Sequence, residues 1–178
     1  MPLQKSQPPV IIIGMHRSGT SMVSRALAAA GLFTGKKRDP NDEALFFMRL
    51  NRWLLRQAGG AWDRPEPIHD LWHNTEVREL TADYLRYAMT TPHVASYLGW
   101  GRYLRYRSPA RLDIPWGWKD PRNTFTLPIW LDIFPEARVI HVYRHGVDVA
   151  ASLRVREQRI LASSIQLYKK RRKWNVYW

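Results

Sequence analysis

The chain has 178 residues, 45% of them hydrophobic, enough for one domain with a real core and unlike a disordered segment. It contains no cysteine, which excludes disulfides and thiolate metal sites. The net charge is +13, and residues 154–178 hold eight Lys or Arg against one acid, Glu157, a surplus of +7 that leaves +6 on the rest. The body's charge suits anionic ligands. The tail suits contact with polyanions such as nucleic acid or acidic lipid, or is a solvated end.

Met1 to Pro9 is polar with three prolines and reads as a flexible lead-in. Val10-Ile11-Ile12-Ile13 follows. Four β-branched residues in a row predict a buried strand of the parallel kind. This is the longest aliphatic run, too short to cross a bilayer or to form the core of a signal peptide. The N-terminus therefore reads as soluble and the chain as cytoplasmic. Gly14 to Gly19 is a short polar loop, and Met22 to Ala30 reads as a helix ended by Gly31. Such a loop delivers a helix N-terminus, whose free N–H groups and dipole favour an anion. The spacing Gly14-x-x-x-x-Gly19-Thr20-Ser21 is that of a P-loop, except that Thr20 stands where the phosphate-binding lysine belongs. Arg17 supplies the cation instead. The plain alternative is a strand-to-helix turn whose glycines serve geometry alone.

Gly31 to Asn41 reads as a loop containing Lys36-Lys37-Arg38. Asp42 is placed to cap a helix to about Ala58, with Phe46, Leu50, Trp53 and Leu54 on one face. Asn74 or Thr75 starts another helix, and Val77, Leu80, Tyr84 and Ala88 are expected in the core. Thr90 to Ile114 mixes Tyr97, Trp100, Tyr103 and Tyr106 with Arg102, Arg105, Arg107 and Arg111. That interleaving can stack bases and hold phosphates. No nucleic-acid motif accompanies it, which favours an aromatic-rich surface beside a substrate cleft. Pro115 to Trp118 is a short strand, followed by Lys119-Asp120-Pro121-Arg122. Asn123 is placed to cap a helix through Phe134, with Pro128 in its first turn or at a bend. Arg138 to Tyr143 reads as a second buried strand, leading to Arg144 and a helix from Val147. Strands alternating with helices predict an α/β fold with a parallel sheet, whose ligands gather at the C-terminal strand ends.

Two of these stretches carry a resemblance. Arg17-Ser18-Gly19-Thr20-Ser21 resembles the loop with which sulfotransferases hold the 5′-phosphosulfate end of PAPS (3′-phosphoadenosine 5′-phosphosulfate). Arg144 and Ser152, with Asp148 midway, resemble the family's 3′-phosphate clamp, which also follows a hydrophobic strand. Trp118-Lys119-Asp120-Pro121 looks like the Lys-Asp-Pro of tyrosylprotein-type and related bacterial members. Phe134 to Ile140 looks like the turn into the clamp strand.

The resemblance covers roughly residues 9 to 155. It implies a P-loop NTPase-like three-layer α/β fold with a central parallel sheet flanked by helices. The domain would span residues 9–168, followed by a basic tail at 169–178. The implied reaction is metal-free sulfuryl transfer from PAPS, as co-substrate, to a hydroxyl or amine of a small molecule, carbohydrate or peptide. Arg17, Ser18, Gly19, Thr20 and Ser21 would hold the phosphosulfate, and Arg144 and Ser152 the 3′-phosphate. Arg17 and Lys119 would stabilise charge during transfer. Glu43 would deprotonate the acceptor, with Asp120, His69 and His73 as lesser candidates. The plain alternative for Glu43 is a first-turn carboxylate that steadies its helix through the dipole. Family domains usually continue past the clamp helix to a glycine- and basic-rich loop over the nucleotide, whereas this chain stops at Trp178. The expectation is an incomplete domain lacking that lid. Competing readings are a kinase-like nucleotide binder, against which Thr20 speaks, and a non-catalytic polyanion-binding relative using residues 97–111 and 169–173. No specific nucleic acid is expected as a partner. If the tail carries polyanion binding, that binding falls steeply with salt and disappears on removal of residues 165–178, which a salt series with an acidic polymer would show.

Overall fold

A run of β-branched residues with no polar member has no side to show to water, and Val10–Ile13 (β1) lies at the centre of the sheet. The structure is a computed structural model that describes residues 6–174, with side-chain surroundings to Gln166. Residues 1–5 of the lead-in and the side chains of the basic cluster at 169–173 lie outside the described residues. From β1 the chain passes through α1 (Thr20–Ala29), α2 (Leu45–Gln57), α3 (Ile68–His73) and α4 (Thr75–Ala88). Two short helices follow, α5 (Ala95–Leu98) and α6 (Trp100–Tyr106). Then come β2 (Gly117–Lys119), α7 (Asn123–Ile133), β3 (Arg138–His141) and α8 (Gly146–Trp174).

β1 pairs in parallel with both neighbours, and the strand order is β2-β1-β3. Ile11 and Ile12 are wholly buried and point to opposite faces, so both faces of the sheet are covered and the fold has three layers. The first crossover runs from β1 to β2 and the second from β2 back past β1 to β3, in the opposite direction. Right-handed connections then place α1 and α7 on opposite faces, and α2 packs beside α7. Ile11 and Ile13 join the main core with Phe47, Trp116, Trp118 and Trp130. Phe47 stacks flat on Trp118, with ring centroids 4.0 Å apart. Inside this apolar mass Asn51 uses all its hydrogen-bonding capacity. It donates to Asp120 (2.9 Å) and Asn123 (2.7 Å) and accepts from Thr126 (2.9 Å) and the Trp130 indole (2.7 Å). No helix among the described residues is long and apolar enough to cross a membrane.

Several local expectations are corrected. The lead-in is already tied at Gln7, which bonds Leu112 and the Trp116 indole. β3 is not buried. It is an edge strand, with Arg138, Val139 and His141 exposed. The outer side of β2 is covered by Phe33, while no strand among the described residues covers β3. The face of α4 is also rotated from the expected one. Val77, Leu80 and Tyr84 are exposed, whereas Thr81, Ala82, Leu85 and Ala88 are buried. Small residues there admit α3 and α7 at close range. Asp42 does not cap α2. Its backbone is left-handed, and its carboxylate takes Arg25 at 2.6 Å. Asn123 is the first residue of α7 rather than its cap, and its side chain bonds Trp118 and the Ile12 carbonyl. Pro128 sits inside α7. In the arginine-rich segment Tyr97 is a core residue, donating to the Gly117 carbonyl at 2.7 Å. Arg102 lies over Phe33, Arg105 over Tyr106 and Arg107 over Tyr103, so these arginines cover the chain's own rings.

Truncating Asn51 strands four buried polar groups. Asn51→Ala is expected to lower unfolding stability by about 3 kcal/mol in a urea titration, and a loss below about 1 kcal/mol would contradict the network.

Candidate active site

The three strands end at the same edge of the sheet, and their following segments build one cleft. Gly14 turns the chain out of β1. Its φ is +141°, and a Cβ there would strike the Val142 carbonyl and the Ser18 hydroxyl, so only glycine fits. Its N–H is held by Thr124 at 3.1 Å. Arg17 has a φ of 71°, a left-handed conformation that arginine rarely adopts. α1 then begins at Thr20 with no side-chain cap and no acid in its first turn. The positive end of its dipole is therefore uncompensated where Gly19, Thr20 and Ser21 line the cleft. The Ser18 hydroxyl is buried beside this turn without a partner among the described residues.

The helix α8 crosses this loop. Arg17 Nε donates to Ser152 Oγ at 2.9 Å, and an Arg144 amine donates to the Arg17 carbonyl at 3.3 Å. The two halves of the expected clamp thus meet the expected phosphosulfate loop directly. On the opposite wall, the Asn41 carbonyl accepts from Ser21 (2.7 Å) and from Lys119 Nζ (2.9 Å). Lys119 Nζ also lies 3.2 Å from Glu43, whose other oxygen takes Arg122 at 3.0 Å. Arg122 in turn pairs with Asp120 at 2.9 Å. Glu43 and Lys119 are almost wholly buried, 3% and 2% exposed.

Eight of the nine expected site residues border a cleft of about 640 Å³: Arg17, Gly19, Thr20, Ser21, Glu43, Lys119, Arg144 and Ser152. Ser18 stands behind the wall. So does Asp120, fully buried under the Arg122 and Asn51 contacts. His69 and His73 are on α3, bonded to one another through the His69 carbonyl, and are absent from the cleft lining. Glu43 lies just before α2 rather than in its first turn, so a dipole role does not describe it. None of residues 97–111 lines the cleft.

Among the lining residues that sequence reasoning missed are His16, Arg52, Trp62, Arg122 and Arg156. His16 and Arg122 lay inside quoted motifs, and their residue types were the available signal. Arg52, Trp62 and Arg156 come from α2, the loop after it and α8, and only assembly brings them here. The His16 ring meets the Trp62 ring edge-on at 4.9 Å, and Arg156 lies 5.5 Å from the Trp62 centroid. Burial pushes His16 down to about 4, and the charges of Arg122, Arg156 and Lys119 add to the fall against the opposing pull of Glu43. Burial pushes the Asp120 carboxyl up to about 6, against the pull of Arg122. Chemically the cleft offers Arg17, Arg52, Lys119, Arg144 and Arg156 to a ligand with several negative charges.

The two shifted groups act on stability with opposite sign. His16 stays neutral in the fold to about pH 4 while the unfolded chain takes a proton below 6.5, so its contribution is lost as pH falls through that window. Asp120 binds its proton more tightly in the fold, so its contribution is lost as pH rises through about 6. The stability difference between wild type and His16→Gln is therefore expected to shrink by on the order of 2 kcal/mol between pH 7 and pH 4 in urea titrations. A difference that stays flat across this range would contradict the buried neutral imidazole.

Among solved structures, the sulfotransferase STF1 from Mycobacterium tuberculosis H37Rv is similar over 78% of this chain and 46% of its own, at 19% identity and a TM-score of 0.34. The chain thus spans about half the length of that protein. No curated protein matches. The profile of the sulfotransferase family matches residues 8–176, nearly the entire chain and all three strand ends that build the cleft, and the chain belongs to that family.

Proposed function

We propose that the chain is the donor-binding part of a PAPS-dependent sulfotransferase. The observation that carries this reading is the meeting of two anion sites in one cleft. The uncapped α1 mouth with Arg17 suits a phosphosulfate, and Arg144 with Ser152, joined to that loop by the Arg17–Ser152 bond, suits a second phosphate. The unpartnered Ser18 hydroxyl beside the loop fits an anion oxygen. In the transfer, the acceptor oxygen attacks sulfur, the bond from sulfur to the 5′-phosphate oxygen breaks, and adenosine 3′,5′-bisphosphate leaves. Arg17 and Lys119 stabilise the charge that gathers on the sulfuryl and leaving oxygens. Glu43 is the carboxylate in contact with Lys119, but both its oxygens hold cations. It would serve as base only after Lys119 turns to the donor. Until then it keeps Lys119 and Arg122 at the wall. The acceptor is a hydroxyl or amine of a small molecule, sugar or peptide, and the setting is cytoplasmic.

Calorimetric titration of the 178-residue chain tests the donor site. Adenosine 3′,5′-bisphosphate is expected to bind at least tenfold more tightly than adenosine 5′-phosphate, and Arg144→Ala to remove most of that preference. Equal binding of the two nucleotides, or an unchanged preference in the variant, would remove the clamp.

A further inference from the structure

A buried ring nitrogen without a hydrogen bond carries a desolvation cost with nothing in return, so it points to a missing partner. His16 Nε2 is such an atom: it is buried, and no group among the described residues bonds it. His16 sits in the anion loop next to Arg17 and borders the cleft. The charged groups that face it come from four directions: Glu43 before α2, Lys119 on β2, Arg122 after β2 and Arg156 on α8. Trp62, from the loop after α2, packs edge-on against its ring. Glu43, the alternative proton acceptor, has one oxygen on Lys119 and the other on Arg122.

We infer that His16, with its unpartnered Nε2 at the loop wall, is the group that takes the proton from the attacking hydroxyl. The inference rests on the sulfotransferase reading of the same cleft. The step balances simply. The acceptor O–H bond breaks, its proton goes to Nε2, its oxygen bonds to sulfur, and the bisphosphate departs with the electron pair of the broken S–O bond. A histidine suits this step because its Nε2 is unpaired at the cleft, whereas both oxygens of Glu43 are already taken by cations. Burial is the larger cause of its low basicity, and Arg156 and Lys119, two of the three cations that add to it, are among those the cleft offers an anionic donor. Donor binding therefore raises its basicity as the reaction is assembled. Trp62 packs edge-on against the ring, 4.9 Å between centroids, so an acceptor that reaches Nε2 must displace part of this contact.

The test needs no acceptor, because water can take its place. The probe is PAPS alone, and the readout is release of labelled sulfate together with adenosine 3′,5′-bisphosphate affinity. His16→Gln keeps the ring's hydrogen-bonding reach but accepts no proton. It is expected to bind the bisphosphate within about threefold of wild type and to lose a hundredfold or more in sulfate release, together with the acidic limb of the pH profile. In the wild type, the His16 imidazole resonance, assigned by its loss in His16→Gln, is expected to titrate at higher pH once the bisphosphate is bound. Trp62→Ala is expected to speed the release to water. If His16→Gln releases sulfate at the wild-type rate with an unchanged profile, the inference is overturned while the donor reading stands. If His16→Gln folds but no longer binds the bisphosphate, His16 is a donor ligand and the inference is overturned. If the wild type neither binds the bisphosphate nor consumes PAPS, the donor reading fails and the inference falls with it.

Discussion

The carboxylate of Glu43, held between the Lys119 ammonium and the Arg122 guanidinium, is the contact on which the cleft depends. All three groups are withdrawn from water. A lone charge in that position costs several kcal/mol, and only partners on both oxygens offset it. The contact joins the segment before α2 to the end of β2, two parts of the chain 76 residues apart. It also fixes where the ammonium of Lys119 stands. Without it, two buried cations would face each other beside a loop that already carries Arg17. Asn51 extends the same logic one layer deeper. It holds Asp120, Asp120 holds Arg122, and Arg122 holds Glu43. The polar network that anchors the core is therefore continuous with the wall of the site.

What was legible in the sequence was local or ordered along the chain. The run Val10–Ile13 can only be a central strand, and Gly14 marks a point where no Cβ fits. Parallel strands place their following loops at one edge, which is why the loop at Arg17, the Lys119 strand end and Arg144 converge. What was not legible depended on neighbours. Val139 and Ile140 look buried as a pattern, but a strand is buried only if another strand or layer lies beyond it. On α4, apolar residues occur on two faces, and the packed one is chosen by how closely α3 and α7 approach Ala82 and Leu85. The environment of His16 arises from four separate segments, so no window of sequence contains it.

The site also concentrates conformational cost. Arg17 and Asp42 both hold left-handed backbone, one in the anion loop and one beside the Asn41 carbonyl that binds Ser21 and Lys119. Such residues persist only where the surroundings fix them. Here the fixing contacts are the Arg17–Ser152 bond and the Arg25–Asp42 ion pair, at 2.9 Å and 2.6 Å. The loop after β1 is held from outside by α8, and the loop at Asn41 and Asp42 by α1.

The open side of β3 bears on how the molecule behaves in a test tube. An edge strand with unpaired backbone groups and an exposed Val139 is a template on which a second copy can lie. A charge of +13 keeps copies apart while it is unscreened. At ~0.1 M salt the repulsion already fades beyond about 10 Å. Salt thus weakens the pull of the cationic cleft on any anion and lets edges meet at the same time. Ionic strength becomes a colloidal variable as well as a thermodynamic one. A salt-induced loss of anion binding would report on charge alone only in samples shown by light scattering to remain monomeric.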